Sequence, residues 1–395
     1  MTKENKNPNV PNLRFNYNGK WKKYELNEII VFFKGNGFSK NDISSEGKPI
    51  ILYGELYTTY KDEIIHTIIS KTNNTSNSDF LSKFNDIIIP SSGEDPIDIA
   101  VARVLLKDNI ILGGDLNVLR PKVNLSSAFL SYELNGKRKL DIAKKAQGKS
   151  IVHLHNSDLK TIKVFLPNFE EQTKIANLLQ AIDKKINTQI KIISSLESQR
   201  KGIISFLLKQ LKSFNELSLS EILIEFNKKT TTNNEFPVLS STASGIHLQS
   251  DYFNKGASSD DTTGYKILPK NYGTYRSMSD TGRFNFNQQT ILDYGIVSPA
   301  YPVFYSNTYN LSFVILYLNN SSEIKKQILE LKTGGTRFAL SFQKLCTLNI
   351  PNISLKQQNN VMQIINSIDL KIQNENNLLN LYNRQKDYLL NNLFV

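Results

Sequence analysis

Two stretches of this 395-residue chain place apolar residues at the spacing of an α-helix. Residues 172–208 and 358–394 align at a constant offset of 186, and apolar positions coincide nearly throughout. Each stretch follows a proline, and apolar side chains occupy most a and d positions of its consecutive heptads. The pattern predicts two long helices that pair as an antiparallel coiled coil. The alternative is that each helix packs only on its own domain.

Polar residues interrupt the two apolar seams at matching positions. Gln189 of the first stretch matches Glu375 of the second, and Arg200 matches Lys386. If an antiparallel pair is related by a pseudo-twofold axis, placing Arg200 opposite Glu375 also places Lys386 opposite Gln189. Polar residues in such seams fix register more than they add stability. These four residues are therefore predicted to set the helix register.

Outside the helices lie two blocks in which short apolar runs alternate with turn clusters, which is typical of an α+β fold. The predicted strands are 50–53, 64–69, 86–89 and Asn310–Tyr317, and the predicted helices lie near Ser126–Leu134 and Ser322–Lys332. The blocks share little alignable sequence, whereas the helices repeat, so one scaffold is predicted to carry two different specificities. The predicted segments are a first domain at 1–165, a first helix at 166–212, a second domain at 213–350 and a second helix at 351–395.

Composition excludes wholesale disorder, collagen and a membrane-spanning protein, since 39% of residues are hydrophobic and 21% charged. The net charge of +12 suits a polyanionic partner without proving one. Cys346 is the only cysteine, which excludes a disulfide framework and a cysteine-based zinc site. No apolar run reaches the ~20 residues of a transmembrane helix, and the first residues lack the apolar core of a secretory signal. We expect an intracellular, cytoplasmic protein without a membrane span.

Catalytic motifs are largely missing from the sequence. Gly148-Lys149-Ser150 resembles the end of a phosphate-binding loop, but Ala143 stands where that loop needs its first glycine. His153 and His155 could share a metal, yet no cysteine is near and the second repeat has no matching histidine, so a structural role is favoured. We find no Asn-Pro-Pro-Tyr-type motif of adenine methyltransferases and no glycine-rich cofactor loop. The sequence therefore predicts neither a catalytic residue nor a metal site in this chain.

The order of several motifs resembles the specificity subunits of type I restriction-modification enzymes. The first long helix carries the most specific of them, Leu166-Pro167-Asn168 followed by Glu171-Gln172-Thr173-Lys174-Ile175-Ala176 and Ile182-Asp183-Lys184-Lys185-Ile186, with a diverged copy near the C-terminus. The remaining motifs are Pro11–Phe15 with Trp21 and Leu26–Ile29, Gly54–Tyr60, Gly113–Pro121, Ala146–Leu154 and Gly295–Phe304. In the second copy Asn359-Asn360 replaces Thr173-Lys174. The resemblance covers nearly the whole chain.

This resemblance implies an α+β fold with two globular target-recognition domains separated by the antiparallel helix pair. Each domain would read one half of a bipartite site in double-stranded DNA, and the helices would set the spacing. Two modification subunits that methylate adenine would dock on the chain, and restriction/translocase subunits would join them. S-adenosylmethionine, ATP and Mg²⁺ are then expected on the partner subunits and none of them in this chain, which would be non-catalytic.

Residues that contact DNA are predicted on polar loops, because Arg, Ser, Asn and Tyr suit phosphates and base edges. The candidates are Tyr57, Thr58, Thr59, Tyr60, Lys144 and Lys145 in the first domain and Tyr275, Arg276, Ser277, Ser279 and Arg283 in the second. For each of them a plain surface or turn role is the alternative. Two other functions compete with DNA recognition. One is a non-enzymatic protein-interaction dumbbell with a coiled-coil stalk, and the other is a nuclease or methyltransferase in its own right.

Overall fold

The computed structural model describes residues 9–75, 80–252, 261–331 and 338–395, and it divides into two compact units. Unit 1 comprises Met1–Lys191 together with Asn377–Val395, and unit 2 comprises Ile192–Asn376. Each unit thus contains one globular domain and one end of each long helix. The two units are described separately below. The four-segment division predicted from the sequence, with the helices as segments of their own, stays a prediction.

Unit 1 builds its domain on a five-stranded sheet in the order β2-β10-β6-β8-β4, with a three-stranded sheet β5-β3-β9 and the pairs β1-β12 and β7-β11. The strands are β1 (Lys22–Glu25), β2 (Ile30–Lys34), β3 (Lys48–Ile51), β4 (Ile64–Ile65), β5 (Lys71–Thr72), β6 (Asp86–Pro90), β7 (Ser92–Gly93), β8 (Arg103–Leu105), β9 (Ile111–Leu112), β10 (Leu116–Pro121), β11 (Val152–His153) and β12 (Lys163–Leu166). The helices are α1 (Leu26–Ile29), α2 (Glu55–Thr58), α3 (Pro96–Ile99), α4 (Ser127–Asn135), α5 (Lys139–Ala143) and α6 (Asn156–Lys160), followed by the long α7 (Phe169–Gln210), which continues into unit 2.

Unit 2 builds its domain on a four-stranded sheet in the order β14-β22-β18-β20, with the pairs β13-β24, β15-β16, β17-β21 and β19-β23. The strands are β13 (Glu216–Ser218), β14 (Ile224–Glu225), β15 (Leu239–Thr242), β16 (Gly245–Leu248), β17 (Lys266–Pro269), β18 (Gly273–Tyr275), β19 (Met278–Ser279), β20 (Phe286–Gln288), β21 (Tyr294–Val297), β22 (Val303–Tyr305), β23 (Phe338–Ala339) and β24 (Asn349–Pro351). The helices are α8 (Gln249–Tyr252), α9 (Leu311–Asn320), α10 (Ser322–Glu330), α11 (Phe342–Cys346) and the long α12 (Leu355–Asn392), which ends in unit 1.

The two domains are copies of one fold. In both sheets the second strand lies between the first and third with antiparallel pairing, so that β2, β10, β6 and β8 correspond to β14, β22, β18 and β20. The strand registers also agree. Ile88 pairs with Arg103 in unit 1, and the matching Thr274 pairs with the matching Asn287 in unit 2. A short helix follows each sheet, α4 in unit 1 and α9 in unit 2. The internal repeat therefore includes the domains as well as the helices.

The two long helices predicted from the 186-residue repeat are confirmed as α7 and α12. Their starts are capped alike, since Asn168 Oδ1 accepts from the Glu171 amide at 2.8 Å and Ser354 Oγ from the Gln357 amide at 3.3 Å. Each helix also packs on the domain before it. Ile175 of α7 is buried in the core of unit 1, and Ile365 of α12 in a core of unit 2. Domain packing and helix pairing are thus combined, although the two were opposed as alternatives.

One predicted strand is wrong. The run Asn310–Tyr317 falls in helix α9, whose first turn is capped by Asn310 Oδ1 accepting from the Phe313 amide at 3.3 Å. The helix is buried almost all round, from Leu311 to Leu318, so it shows no polar face and its apolar run has strand length. The predicted strand at 64–69 is shortened to Ile64–Ile65. The two helices predicted beside these runs are present as α4 and α10, with Lys332 outside the described residues.

Within the described ranges, no helix is long and apolar enough to cross a membrane.

Candidate functional site

In unit 1, Lys386 of α12 lies among carboxylates from two other elements. Its Nζ is 2.7 Å from Asp183 Oδ1 on α7 and 3.1 Å from both carboxylate oxygens of Glu63, which directly precedes β4. Tyr132 of α4 donates its hydroxyl to Asp183 Oδ2 at 2.5 Å, and its ring centroid is 5.8 Å from the Lys386 ammonium. We call these four residues the Lys386 cluster. It ties the end of α12 to α7 and to the domain of unit 1.

The Lys386 cluster places one ammonium in contact with two carboxylates. Burial by itself lowers the pKa of Lys386, but the carboxylates of Glu63 and Asp183 outweigh it and the pKa is raised. Burial and the Asp183 carboxylate raise the pKa of the Tyr132 hydroxyl, which therefore stays a donor. The cluster is mostly shielded from solvent, with 20% of the Lys386 side chain and 9% of the Glu63 side chain exposed. Such a shielded group depends on all its members, since removing one leaves an unpaired buried charge.

In unit 2, the matching contact is simpler and more exposed. Arg200 of α7 binds Asp369 of α12 in a two-pronged ion pair, with Nε on Oδ1 and Nη2 at 3.0 Å from Oδ2. The side chains are 32% and 43% exposed. Arg200 matches Lys386, and Asp369 matches Asp183, at the offset of 186. The helices therefore run antiparallel with repeated contacts, as predicted.

The register predicted for these helices differs from the observed one. Arg200 pairs with Asp369 rather than with Glu375, and Lys386 pairs with Asp183 rather than with Gln189. Each observed partner lies six residues before the predicted one, which is about 9 Å along a helix. The reason is that Arg200 and Lys386 each pair with an aspartate that lies outside the strict a and d series. The repeated Asp183 and Asp369 were visible in the aligned sequences and were the better signal.

A second contact joins the start of the short helix to the long helix in the same way in both units. Gln172 Oε1 accepts from the Ser126 amide at 3.0 Å, and the matching Gln358 Oε1 accepts from the Asn310 amide at 2.8 Å. These bonds hold the start of the short helix against the long helix in each domain. Sequence reasoning missed both glutamines as contacts, although they align at the offset of 186.

An asparagine near the end of the short helix makes a further contact that is repeated in both units. Asn135 brackets the Ala102 backbone with its side-chain amide, whose Oδ1 accepts from the Ala102 N–H at 2.7 Å and whose Nδ2 donates to the Ala102 carbonyl at 2.9 Å. Asn319 does the same to Phe286, at 3.0 and 2.8 Å. We use the term bracketing asparagines for these two residues.

The predicted DNA-contacting residues of unit 1 divide into internal and exposed groups. The Tyr57 hydroxyl donates to the Ser92 carbonyl at 2.8 Å, and burial raises its pKa. Tyr60 is buried and its hydroxyl accepts from the Ile69 amide at 3.0 Å. Both tyrosines therefore have structural contacts. The exposed group consists of Thr58 and Thr59 at the end of α2 and Lys144 and Lys145 after α5.

In unit 2, the structure corrects one candidate. Tyr275 is fully buried against Phe286 and donates its hydroxyl to the Leu340 carbonyl at 3.0 Å, so it is a core residue of β18 and cannot face a ligand. Ser277 donates to the Ala300 carbonyl at 2.7 Å, and Ser279 accepts from the Thr281 amide at 3.3 Å.

Arg276 and Arg283, in contrast to Tyr275 and the two serines, have side chains without a bonded partner among the described residues. Arg276 and Arg283 are exposed and form no hydrogen bond or ion pair with another residue in the part of the chain that the structure describes. Their cationic groups are thus the ones presented to solvent between β18 and β20.

Metal-binding side chains are not gathered at a site in the part of the chain that the structure describes. Across residues 9–75, 80–252, 261–331 and 338–395, no group of three or more His, Cys, Asp or Glu side chains is placed to hold a metal ion. His153 stacks on His155 and its Nδ1 lies 3.1 Å from Ser92 Oγ. Burial raises the pKa of the Cys346 thiol to about 11, which keeps it protonated at neutral pH.

Comparison with known proteins finds a family model that matches the first domain and part of the first long helix. Residues 18–198 match the family described as Type I restriction modification DNA specificity domain. A curated relative, the type I restriction enzyme MjaVIII specificity subunit of Methanocaldococcus jannaschii, is 25% identical over 212 residues, which are 51% of this chain and 46% of that protein. The chain thus spans just under half the length of this relative.

Solved structures extend the likeness to nearly the whole chain at the level of fold. The type I restriction-modification S subunit from M. genitalium covers 98% of this chain and 99% of its own, with a TM-score of 0.58 and 19% identity. A chain from a structure on complex assembly and conformational transition of the type I R-M system covers 94% and 96%, with a TM-score of 0.58 and 14% identity. The predicted resemblance is confirmed. Residues 18–198 match the model of the specificity-domain family, and the chain has the fold of these S subunits.

Proposed function

We propose that this chain is the DNA-specificity subunit of a type I restriction-modification complex. One observation carries the proposal: two copies of a single fold are held by the same glutamine and bracketing-asparagine contacts, while their loops and exposed side chains differ. A bipartite DNA site needs two readers of similar shape and different specificity. Each domain would read one half-site, and the helices would set the distance between them.

Exposed basic side chains support contact with DNA in both domains. Lys144 and Lys145 lie exposed in unit 1, and Arg276 and Arg283 lie exposed in unit 2 without partners among the described residues. Lysine and arginine bind phosphates, and arginine also binds guanine edges in the major groove. We expect Arg276→Ala to weaken binding at one half-site and to reduce the salt dependence by about one phosphate contact. Unchanged affinity and base preference would remove Arg276 from the interface.

Two equivalent exposed apolar residues support docking of two copies of a partner. Phe169 begins α7 and is 44% exposed, and Leu355 begins α12 and is 52% exposed. They match at the offset of 186, so both copies of the repeat present an apolar side chain at the same place. Exposed apolar residues at repeated positions suit a protein partner. The partners would be two modification subunits that carry S-adenosylmethionine, joined by restriction/translocase subunits that carry ATP and Mg²⁺.

The stoichiometry of this docking can be tested with matched variants. Phe169→Ser and Leu355→Ser should each leave one modification subunit bound per chain, and the double variant should leave none, as measured by mass photometry or native mass spectrometry. Phe206→Ser is the control, because Phe206 is 62% exposed on α7 but matches the polar Asn392 in the other copy. Loss of both subunits in each single variant would contradict two equivalent sites.

In this proposal the chain performs no chemistry and works in the cytoplasm, where its DNA lies. A protein-interaction role without DNA is the second candidate function, supported by the near-neutral balance of residues 213–345. Methylome sequencing separates the two. A host with the chain and its modification subunit should show a bipartite adenine-methylated motif that disappears when the chain is deleted. If the assembled complex leaves no motif in the genome and has no salt-dependent DNA affinity, the DNA proposal is wrong.

A further inference from the structure

Unit 2 contains a cleft at the position where unit 1 holds the Lys386 cluster. Its volume is about 430 Å³, and its walls include Arg200, Asp369, Leu316 and the turn 243–245. Side-chain amides and hydroxyls dominate the rest of the lining, among them Asn287 and Asn319. Every lining residue belongs to unit 2. We call this space the unit 2 cleft.

The internal repeat shows which groups fill the same space in unit 1. Tyr132 and Leu316 each lie six residues after the cap of the short helix, Ser126 and Asn310. Tyr132 reaches Asp183 with its hydroxyl, whereas Leu316 brings no polar atom toward Asp369. The shorter side chain leaves room that the tyrosine ring occupies in unit 1.

The turn beside the unit 2 cleft carries no charged side chain, unlike the matching segment of unit 1. Arg103 of β8 donates from Nε to the Tyr60 carbonyl at 3.1 Å, and the matching Asn287 of β20 donates to the Thr242 carbonyl at 2.8 Å. Residues 242–245 therefore stand where 60–63 stand in unit 1. In unit 1 this segment supplies the Glu63 carboxylate to Lys386. In unit 2 the segment reads Thr-Ala-Ser-Gly and supplies no carboxylate.

Arg200 consequently has one carboxylate where Lys386 has two. Its Nε and one Nη2 hydrogen bind Asp369, so the remaining N–H groups of the five that a guanidinium carries point elsewhere. With about a third of its side chain exposed, Arg200 presents these donors at the wall of the cleft. Arginine pairs best with a planar carboxylate, through charge-assisted hydrogen bonds.

We propose that the unit 2 cleft is a binding site for an acidic side chain from another protein, which takes the place of Glu63. The carboxylate would complete the coordination of Arg200 by accepting from the guanidinium N–H groups that Asp369 does not bind. A phosphate is disfavoured relative to a carboxylate, because it would add up to two negative charges beside Asp369, and Arg200 is the only cation among the described lining residues. The inference holds whether or not the chain reads DNA.

A titration of the full chain, labelled with ¹⁵N-arginine, tests this site. The probe is the blocked tripeptide Ac-Gly-Glu-Gly-NH₂, and the matched control is Ac-Gly-Gln-Gly-NH₂, which has the same shape without the charge. The Arg200 Nε–H signal, assigned with Arg200→Lys, should shift saturably with the glutamate peptide and at least tenfold more weakly with the glutamine peptide. Equal responses or none would overturn the proposal. Succinate binding as tightly as the peptide would overturn its assignment to a protein segment.

Two substitutions at the exposed turn provide an independent test. Ser244→Glu supplies a carboxylate from within the chain, one residue before Gly245, the position that matches Glu63. This variant should bind the glutamate peptide at least tenfold more weakly. In Ser244→Gln the new side chain has nearly the same volume as glutamate but no charge. Its affinity for the glutamate peptide should stay within about threefold of that of the original chain. Because Ser244 lies exposed in a turn, both variants should fold, and circular dichroism checks this. Equal affinity of the glutamate variant and the original chain would show that the carboxylate binds elsewhere.

Discussion

The two units attach the same domain fold to the same pair of helices with very different electrostatics. Unit 1 uses the buried Lys386 cluster, in which two carboxylates and a tyrosine surround one ammonium. Unit 2 uses the exposed pair of Arg200 and Asp369 beside an open cleft. The glutamine and bracketing-asparagine contacts are nevertheless the same in both. The repeat thus preserves neutral hydrogen bonds to the backbone and lets charges and surfaces diverge.

The largest expected difference between the units concerns the two matching cations. Lys386→Met leaves Glu63 and Asp183 without their cation and should lower the free energy of unfolding of unit 1 by about 3–5 kcal/mol. Arg200→Met breaks an exposed pair and should cost about 1 kcal/mol or less. Trp21, the only tryptophan, is 1% exposed in the core of unit 1, so its fluorescence during urea unfolding reports the first value. Similar losses in both variants would contradict the comparison.

A smaller effect is expected from Glu133 of α4, which has no counterpart in unit 2 because Tyr317 takes its place on α9. Glu133 is fully buried, and burial raises its pKa to about 7, against the bonds donated by the Phe165 amide and Arg138. The folded state therefore holds the proton more tightly than the unfolded state. Stability from this group is present below about pH 4.5 and is lost as the pH rises to about 7.

Glu133→Gln should remove that loss while keeping an acceptor for the Phe165 amide. As the pH rises from 4.5 to 7, the free energy of unfolding of the variant should increase relative to that of the original chain by on the order of 3 kcal/mol. Urea unfolding followed at Trp21 over this pH range measures the difference. A difference that does not change with pH would show that Glu133 is ionised in the folded state throughout.

The bracketing asparagines should give similar effects at the backbone amide that each one holds. Asn135→Ala leaves the Ala102 N–H without its partner, and Asn319→Ala does the same to the Phe286 N–H. The Ala102 carbonyl keeps a donor, since the Ser131 hydroxyl bonds it at 3.0 Å. Unsatisfied buried backbone groups cost about 1–3 kcal/mol. Native-state hydrogen exchange of the Ala102 and Phe286 amides measures both losses in one experiment. A clearly larger loss of protection at one of the two amides would show that the asparagine contact does not stabilise both units equally.

The smallest expected effect tests the observed helix register. Arg200→Asp alone places two carboxylates together, and adding Asp369→Arg restores an ion pair in the reverse sense. The double variant should recover the loss, with a coupling free energy of about 0.2–1 kcal/mol for an exposed pair. Adding Glu375→Arg instead should recover less. If Glu375→Arg rescues Arg200→Asp better than Asp369→Arg does, the register is the one predicted from the a and d positions.

Sequence patterns predicted the elements whose signals are long or repeated. The helices α7 and α12 follow from about four heptads that recur at one offset, and their antiparallel pairing follows from the matched repeat. Helix α9 was predicted as a strand, because burial on all sides removes the polar face that marks a helix. The correct partner of Arg200 was visible in the repeat, but the strict heptad assignment drew attention to Glu375.

The contacts that join distant segments could not be predicted. Glu63 lies 323 residues from Lys386, and no local pattern links the two. Tyr275 looked like a loop residue because Tyr, Ser and Asn surround it, and only the sheet shows that it points into the core. Arg276 is the next residue along the chain and faces solvent, as expected from the alternation of a strand.

The central claim is that the chain carries two readers that act independently on one framework. The most direct test replaces residues 217–345 with the corresponding block of a type I S subunit of different specificity and sequences the methylome of the host. The account predicts a bipartite motif in which one half changes and the other half, with its methylated adenine, stays the same. Changes in both halves of the motif would contradict independent reading, and an unchanged motif would show that the second domain does not read DNA.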